Sequence, residues 1–264
     1  MTTHNTLAFD TATARRIEAN YLTPEVVAQR REIMRRLELK PGEQVIDIGA
    51  GPCLLTEEMA RAVGPAGRVV GIDLSNEMLS MGRARCTGLA WVELGEADAV
   101  SLPFPKATFD AAVASQVYEY VGDLARALAE ARRVLRPGGR LLVLDTDWDS
   151  IVWNTSDRPR TTRMLTAWKE HVIHPHLPRT LARRLKEAGF IVEDIGVFTF
   201  VNSEYGEHAV SHGLAALMAA FVPGRQGITE AEVAAWVADL RELGAADNYF
   251  FSLNRYLFSV TKPA

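Results

Sequence analysis

Cysteine is almost absent from this chain. Cys53 and Cys86 are the only two, so no disulfide framework is available and a reducing compartment, the cytoplasm, is expected. Long apolar runs are missing as well. No segment approaches the ~20 apolar residues of a membrane span, and the polar opening of the chain has no signal-peptide core. Neither charge dominates: 29 Lys and Arg stand against 33 Asp and Glu, for a net charge of −4, which offers no field for nucleic acid. The pairs Arg30-Arg31, Arg35-Arg36 and Arg132-Arg133 read as solvated helix faces. The expected partner is a small molecule, with no nucleic acid and no membrane; oligomeric state is left open. What is present is a hydrophobic content of 48% over 264 residues, enough for a substantial core.

Apolar runs alternate with amphipathic helical stretches from Gln44 to Asp145. Strands are expected at Gln44 to Ile48, Arg68 to Ile72, Trp91 to Leu94, Phe109 to Ser115 and Arg140 to Asp145, separated by helices at Leu54 to Val63, Ser75 to Cys86 and Asp123 to Leu135. That rhythm belongs to a parallel α/β sheet. Ahead of it, residues 10–38 have helical periodicity with a break at Thr23-Pro24. Behind it, the pattern continues with a helix from Leu181 to Ala188 and strands from Ile191 to Val201 and Tyr249 to Val260. Two stretches interrupt, the second containing helices at Ala209 to Phe221 and Glu230 to Leu243. The expected division is an N-terminal helical segment (1–40), a cofactor-binding core (41–146), a first cap insertion (147–177), core again (178–202), a second cap insertion (203–248) and a terminal strand (249–264). The fold class is an α/β, Rossmann-like doubly wound sheet of seven strands, the last antiparallel.

The stretch Val45-Ile46-Asp47-Ile48-Gly49-Ala50-Gly51-Pro52 carries the chemistry. An apolar strand delivers a carboxylate and two glycines into one turn, and glycines let backbone approach a ligand closely. A carboxylate at an apolar strand end needs a partner. Asp73, closing the second strand, stands where a carboxylate accepts from ribose hydroxyls. Asp98 follows the third strand between Ala97 and Ala99, which leave room for an adenine ring. Ser115 and Gln116 end the fourth strand. A nicotinamide site is disfavoured, because its third glycine would fall at position 54, which is Leu54.

These residues, with Gly71-Ile72-Asp73-Leu74-Ser75, Leu102-Pro103-Phe104, Phe109-Asp110 and Arg133-Val134-Leu135-Arg136-Pro137-Gly138-Gly139, resemble the class I S-adenosylmethionine-dependent methyltransferases. The likeness is to the group of ubiquinone/menaquinone-biosynthesis and small-molecule enzymes, and it covers residues 20–146. The resemblance implies S-adenosyl-L-methionine as cofactor. It places Asp47, Gly49 and Gly51 on the methionine part, Asp73 on the ribose, and Leu74 and Met78 on the adenine face. Asp98, between Ala97 and Ala99, would face the adenine amino group, with Ser115 and Gln116 by the methionyl end. Cys53 stands where the family has a third glycine. In the helical prelude, Tyr21 would approach the sulfonium and Arg30 the carboxylate; the plainer alternative is a packed tyrosine and a surface arginine.

The expected reaction is methyl transfer to a small, apolar or aromatic metabolite through an O-, N- or C-acceptor. The alternative is a protein that binds the cofactor but catalyses a non-methylating step such as a cyclisation. Candidate proton-removing groups are His208 and His212, read as an i, i+4 pair on one helix face, while Tyr118 is a candidate for orienting the acceptor. His171, His174 and His176 lack the further ligands of a metal site, so no metal is expected. The aromatics Trp148, Trp153, Trp168, Phe221, Trp236, Tyr249 and Phe250 gather in or beside the insertions, where they either line an acceptor pocket or form a core.

Overall fold

The computed structural model describes residues 11–264. Residues 1–10, including the start of the expected helical prelude, lie outside the described residues. Helices α1 (Thr11–Tyr21) and α2 (Pro24–Leu37) meet at Thr23-Pro24, where Thr23 Oγ1 donates to the Asn20 carbonyl at 2.9 Å and proline opens the new helix. The core then follows as β1 (Gln44–Ile48), α3 (Leu54–Val63), β2 (Arg68–Asp73), α4 (Asn76–Arg85), β3 (Val92–Glu96), β4 (Phe109–Ser115), α5 (Leu124–Val134) and β5 (Leu135–Thr146). The remainder is β6 (Val152–Trp153), α6 (Arg158–Trp168), α7 (Pro178–Glu187), β7 (Ile191–Asn202), α8 (Val210–Phe221), α9 (Glu230–Ala245) and β8 (Phe251–Thr261). Among the described residues, no helix is long and apolar enough to cross a membrane.

The eight-stranded sheet has the order β3-β2-β1-β4-β5-β8-β6, with β7 also paired to β8. The first five strands pair in parallel, and β8 runs antiparallel to β5. This is the expected doubly wound architecture, with the two-residue β6 added. Strands β1 and β4 are buried along nearly their whole length, as a central parallel strand covered by helices on both faces requires. One local difference concerns Arg136-Pro137-Gly138-Gly139, expected as a turn ahead of the fifth strand. Phe109 pairs with Leu135 and Ala111 with Arg140, so the strand begins earlier and these four residues loop out of its ladder, with Gly138 at φ 75°.

The chain divides into two compact units. One comprises the stretch up to Gln29 with Trp148–Pro175 and Phe198–Asn254; the other comprises Arg30–Asp147, His176–Val197 and Arg255–Ala264. The second unit, the sheet unit, has a continuous apolar core that includes Ile46, Ile48, Val70, Ala112, Leu128 and Val143.

The first unit is held by its aromatics. Trp148 meets Trp168 edge-on at 5.8 Å, Trp168 meets Phe221 at 5.5 Å, and Trp153 meets Trp236 at 5.1 Å. Trp168 and Trp236 are 2% and 1% exposed. Edge-to-face pairing among buried rings is core packing, so these tryptophans supply a core and no longer argue for an aromatic acceptor. Phe250 is the exposed exception.

Candidate cofactor site

The sheet unit brings the expected cofactor residues to the carboxyl ends of its parallel strands, where ligands bind in open α/β sheets. β1 lies between β2 and β4, with Asp47 level with Gly71 on one side and Val113 on the other. Past Ile48 the chain turns through Gly49 at φ 71° and Gly51 at φ 54°, a region that favours glycine. Two bonds fix the turn to the end of β2. The Ala50 N–H donates to the Ile72 carbonyl at 2.8 Å, and the Gly51 N–H donates to Asp73 Oδ2 at 2.8 Å. Asp73 Oδ1 accepts the Ser75 N–H at 2.9 Å. The expected ribose acid therefore also clamps the glycine turn.

Asp47 is 2% exposed and accepts from Thr56 Oγ1 at 2.6 Å. Burial pushes its pKa up to about 7, with repulsion from Asp73 adding to the shift. Asp73 is likewise raised by burial. A buried carboxyl and a half-buried one that repel each other make a site that answers positive charge. Space for a ligand is also present: a Cβ built on Gly51 would meet no atom within 4 Å. Beside it, Leu74 is 64% exposed, an apolar face left bare directly after the ribose acid. A ligand with a cationic end, a ribose and a flat base fits this set.

The other expected residues fall as follows. Met78 is buried at 3% exposure, its N–H capped by the Ser75 hydroxyl at 3.3 Å. Ala97 is half-buried, Ala99 buried and Asp98 exposed, with Asp98 Oδ1 accepting the Val100 N–H at 3.1 Å. Ser115 ends β4, and Gln116, at φ 60°, donates from Nε2 to Thr146 Oγ1 at 2.7 Å.

Arg30 is 8% exposed and not a solvated charge; its Nε donates to Glu58 Oε1 on α3 at 3.0 Å. Arg133 also departs from that expectation, because its fork holds the Leu102 carbonyl at 2.9 Å and the Phe104 carbonyl at 2.6 Å. Tyr118, expected to orient an acceptor, is 0% exposed within the apolar core; its hydroxyl has no hydrogen-bond partner among the described residues, and burial raises its pKa. It packs and does not project.

In the first unit, Tyr21 ends α1 half-buried. The expected i, i+4 pair does not form a helix face: α8 starts at Val210, and exposed His208 sits in the preceding turn. The reason is the cap. Asn202 Oδ1 accepts the Ser211 N–H at 3.1 Å, which fixes the first helical turn after Ala209. His212 is on the helix and packs against Tyr205, ring centroids 5.1 Å apart. His171 stacks on Trp168 at 3.9 Å, whereas His176 pairs with Asp147 Oδ1 at 3.1 Å in the sheet unit.

Cys53, in the place of the third glycine, adopts the left-handed conformation at φ 60°, ψ 29°. A non-glycine residue there costs about 1–2 kcal/mol. Its side chain is 0% exposed, and burial pushes the thiol up to about 12, so it packs and does not react. Its counterpart is Gly82 on α4, where a Cβ would lie 2.3 Å from Cys53 Sγ. Sulfur thus occupies the room that the helix glycine leaves. We expect Gly82→Ala to destabilise the protein by ~2 kcal/mol and Cys53→Gly/Gly82→Ala to recover at least half of that. Chemical unfolding of the three proteins checks this; a double variant no better than the single would contradict the pairing.

Comparison with known proteins agrees with this geometry. The methyltransferase-domain family matches residues 46–143, which hold the glycine turn, Asp73, Asp98 and Gln116. Residues 46–143 are thereby a methyltransferase domain of the class I S-adenosylmethionine-dependent kind. A demethylmenaquinone methyltransferase of Bacillus cytotoxicus is 37% identical over 127 residues, covering 47% of this chain and 54% of that protein. A 37.1 kDa protein of a Streptomyces fradiae transposon is 41% identical over 170 residues, covering 62% of this chain and 48% of that one. The chain thus spans about half the length of the curated relatives it matches. Among solved structures, the [4+2]-cyclase SpnF is 25% identical with a TM-score of 0.59, covering 90% of this chain and 82% of that one. The Haemonchus contortus phosphoethanolamine N-methyltransferase 2, solved with S-adenosyl-L-methionine, shares the fold at 19% identity and a TM-score of 0.64, covering 97% of this chain and 58% of that one.

Sequence reasoning missed Thr56, which holds Asp47, and Asp145, which is 0% exposed; Glu119, read from the sequence as a pocket candidate beside Tyr118, is 0% exposed as well. A signal for Asp145 existed. It closes Leu141-Leu142-Val143-Leu144 as Asp47 closes Val45-Ile46, an acid at the end of an apolar strand.

Proposed function

We propose that this protein transfers the methyl group of S-adenosylmethionine to a small-molecule acceptor in the cytoplasm. The observation that carries the reading is the joining of the glycine turn to Asp73 through the Gly51 N–H at 2.8 Å, beside buried Asp47. Bound cofactor supplies a methyl group already activated on a sulfonium. The residues of this chain then bind and orient: Asp73 accepts from the ribose, the backbone of Gly49 to Gly51 passes along the methionyl part, and Leu74 covers the adenine. Asp47 answers the cationic end. Because the methyl is activated in advance, alignment and exclusion of water carry most of the rate. Where an acceptor must lose a proton, His212 is the candidate base, ahead of His208.

A second reading is favoured by one observation, the likeness to a [4+2]-cyclase. In it the cofactor site is retained and the protein shapes a substrate for ring closure. Incubation with S-adenosylmethionine and an array of candidate metabolites separates the two. Methyl transfer predicts S-adenosylhomocysteine in equal amount to product; product formed without it would replace our reading with the second.

A further inference from the structure

Asp145 and Glu119 are buried acids that the reading above does not use. Asp145 is the penultimate residue of β5, and Glu119 lies in the short turn after β4, a single turn of 3-10 helix at Tyr118–Tyr120. Neither oxygen of Asp145 completes a hydrogen bond of ordinary geometry. Its carboxyl instead feels the backbone N–H groups of Val117 and Glu119 and the charge of Arg255, against repulsion from Glu119. Burial and that repulsion both disfavour the charged form and raise Asp145 well above the carboxylate range.

The neighbours of Asp145 hold the same turn. The Gln116 N–H donates to the Leu144 carbonyl at 2.7 Å, and the Gln116 side chain donates to Thr146 at 2.7 Å. The residues on either side of Asp145 therefore both bond the segment that begins at Gln116. That segment reaches the cofactor turn through Val117: a Cβ on Gly49 would lie 2.3 Å from Val117 Cγ2. The isopropyl group fills the space above a glycine that already sits at φ 71°.

We propose that Asp145 is a positioning residue of the cofactor site, holding the turn after β4 so that Val117 keeps the Gly49 backbone in place. The proposal rests on the cofactor reading above. Its test is calorimetric binding of S-adenosylhomocysteine to wild type, Asp145→Asn, Asp145→Leu, Val117→Ala and Asp145→Leu/Val117→Ala, with amide hydrogen exchange at residues 49–51 measured on the free proteins. Leucine removes the acid while retaining volume, and replacing buried polar groups by apolar ones is often tolerated; Asp145→Val takes its place, under the same criteria, if Asp145→Leu does not fold. We expect Asp145→Leu to bind ~10-fold more weakly and to speed exchange at residues 49–51. Asp145→Asn should stay within ~3-fold of wild type, and the double variant should be no weaker than Val117→Ala. Wild-type binding and exchange in Asp145→Leu, or multiplying effects in the double variant, would overturn the proposal. If wild type itself bound no S-adenosylhomocysteine, the cofactor reading would fall, while exchange at residues 49–51 would still decide the role of Asp145.

Discussion

Asp73→Ala should weaken S-adenosylmethionine binding by ~100-fold or more, since each hydrogen bond to a charged acceptor contributes about 1.5–3 kcal/mol. Two losses combine. The ribose loses its acceptor, and the Gly51 and Ser75 N–H groups lose the carboxylate that now receives them at 2.8 and 2.9 Å. The glycine turn is then released from the end of β2 at the place where it must meet the ligand. Asp73→Asn retains an acceptor oxygen, so its loss should be smaller, ~10-fold. Isothermal titration of the three proteins reads this directly. Equal affinities for wild type and Asp73→Ala would remove Asp73 from the site.

The second large effect concerns pH and His171. Its ring is 1% exposed, stacked on Trp168 and edge-on to Trp148 at 4.8 Å, and burial pushes its pKa down to about 4 from an ordinary 6.5. As pH falls below 6.5, the unfolded chain takes up a proton at this residue that the folded chain refuses until about pH 4. The stability contributed by the neutral ring is thus complete above pH 6.5 and lost on the way down, to about 3 kcal/mol in full. Asp47 has the opposite sign: its pKa is raised from 3.8 to about 7, so the folded form holds an extra proton and gains stability over that same fall. A single pH profile would mix the two. The difference between wild type and His171→Phe isolates the histidine, and it should shift against wild type by about 3 kcal/mol between pH 7.5 and 4. A difference constant across that range, or an imidazole NMR titration near 6.5, would show that the ring is hydrated.

The parts legible in the sequence are those where one local rule decides. Alternation of apolar strands with helices predicts β1 at Gln44–Ile48 and β4 at Phe109–Ser115 with the ends observed, because a central parallel strand is apolar on both faces. Asp47 and Asp73 stand out as charges at apolar strand ends. Residues whose position depends on distant partners are harder to read. The helix start at Val210 is set by Asn202, on another element, so His208 falls outside the helix that spacing assigns it. Arg30 resembles any surface arginine until Glu58, on a different helix, is seen to receive it. Tyr118 follows a strand end as a substrate residue would, yet tertiary packing seals it. Cys53 is an oddity in the glycine turn until Gly82 supplies the space for its sulfur.

The central claim is that the ends of β1, β2 and β4 hold S-adenosylmethionine. A crystal structure of the protein with S-adenosylhomocysteine tests it most directly. We predict the ribose hydroxyls on the Asp73 carboxylate, the amino-acid end along Gly49 to Gly51 beside Asp47, and the base against Leu74. A ligand bound elsewhere, or saturating S-adenosylhomocysteine that leaves these residues untouched, would contradict the account.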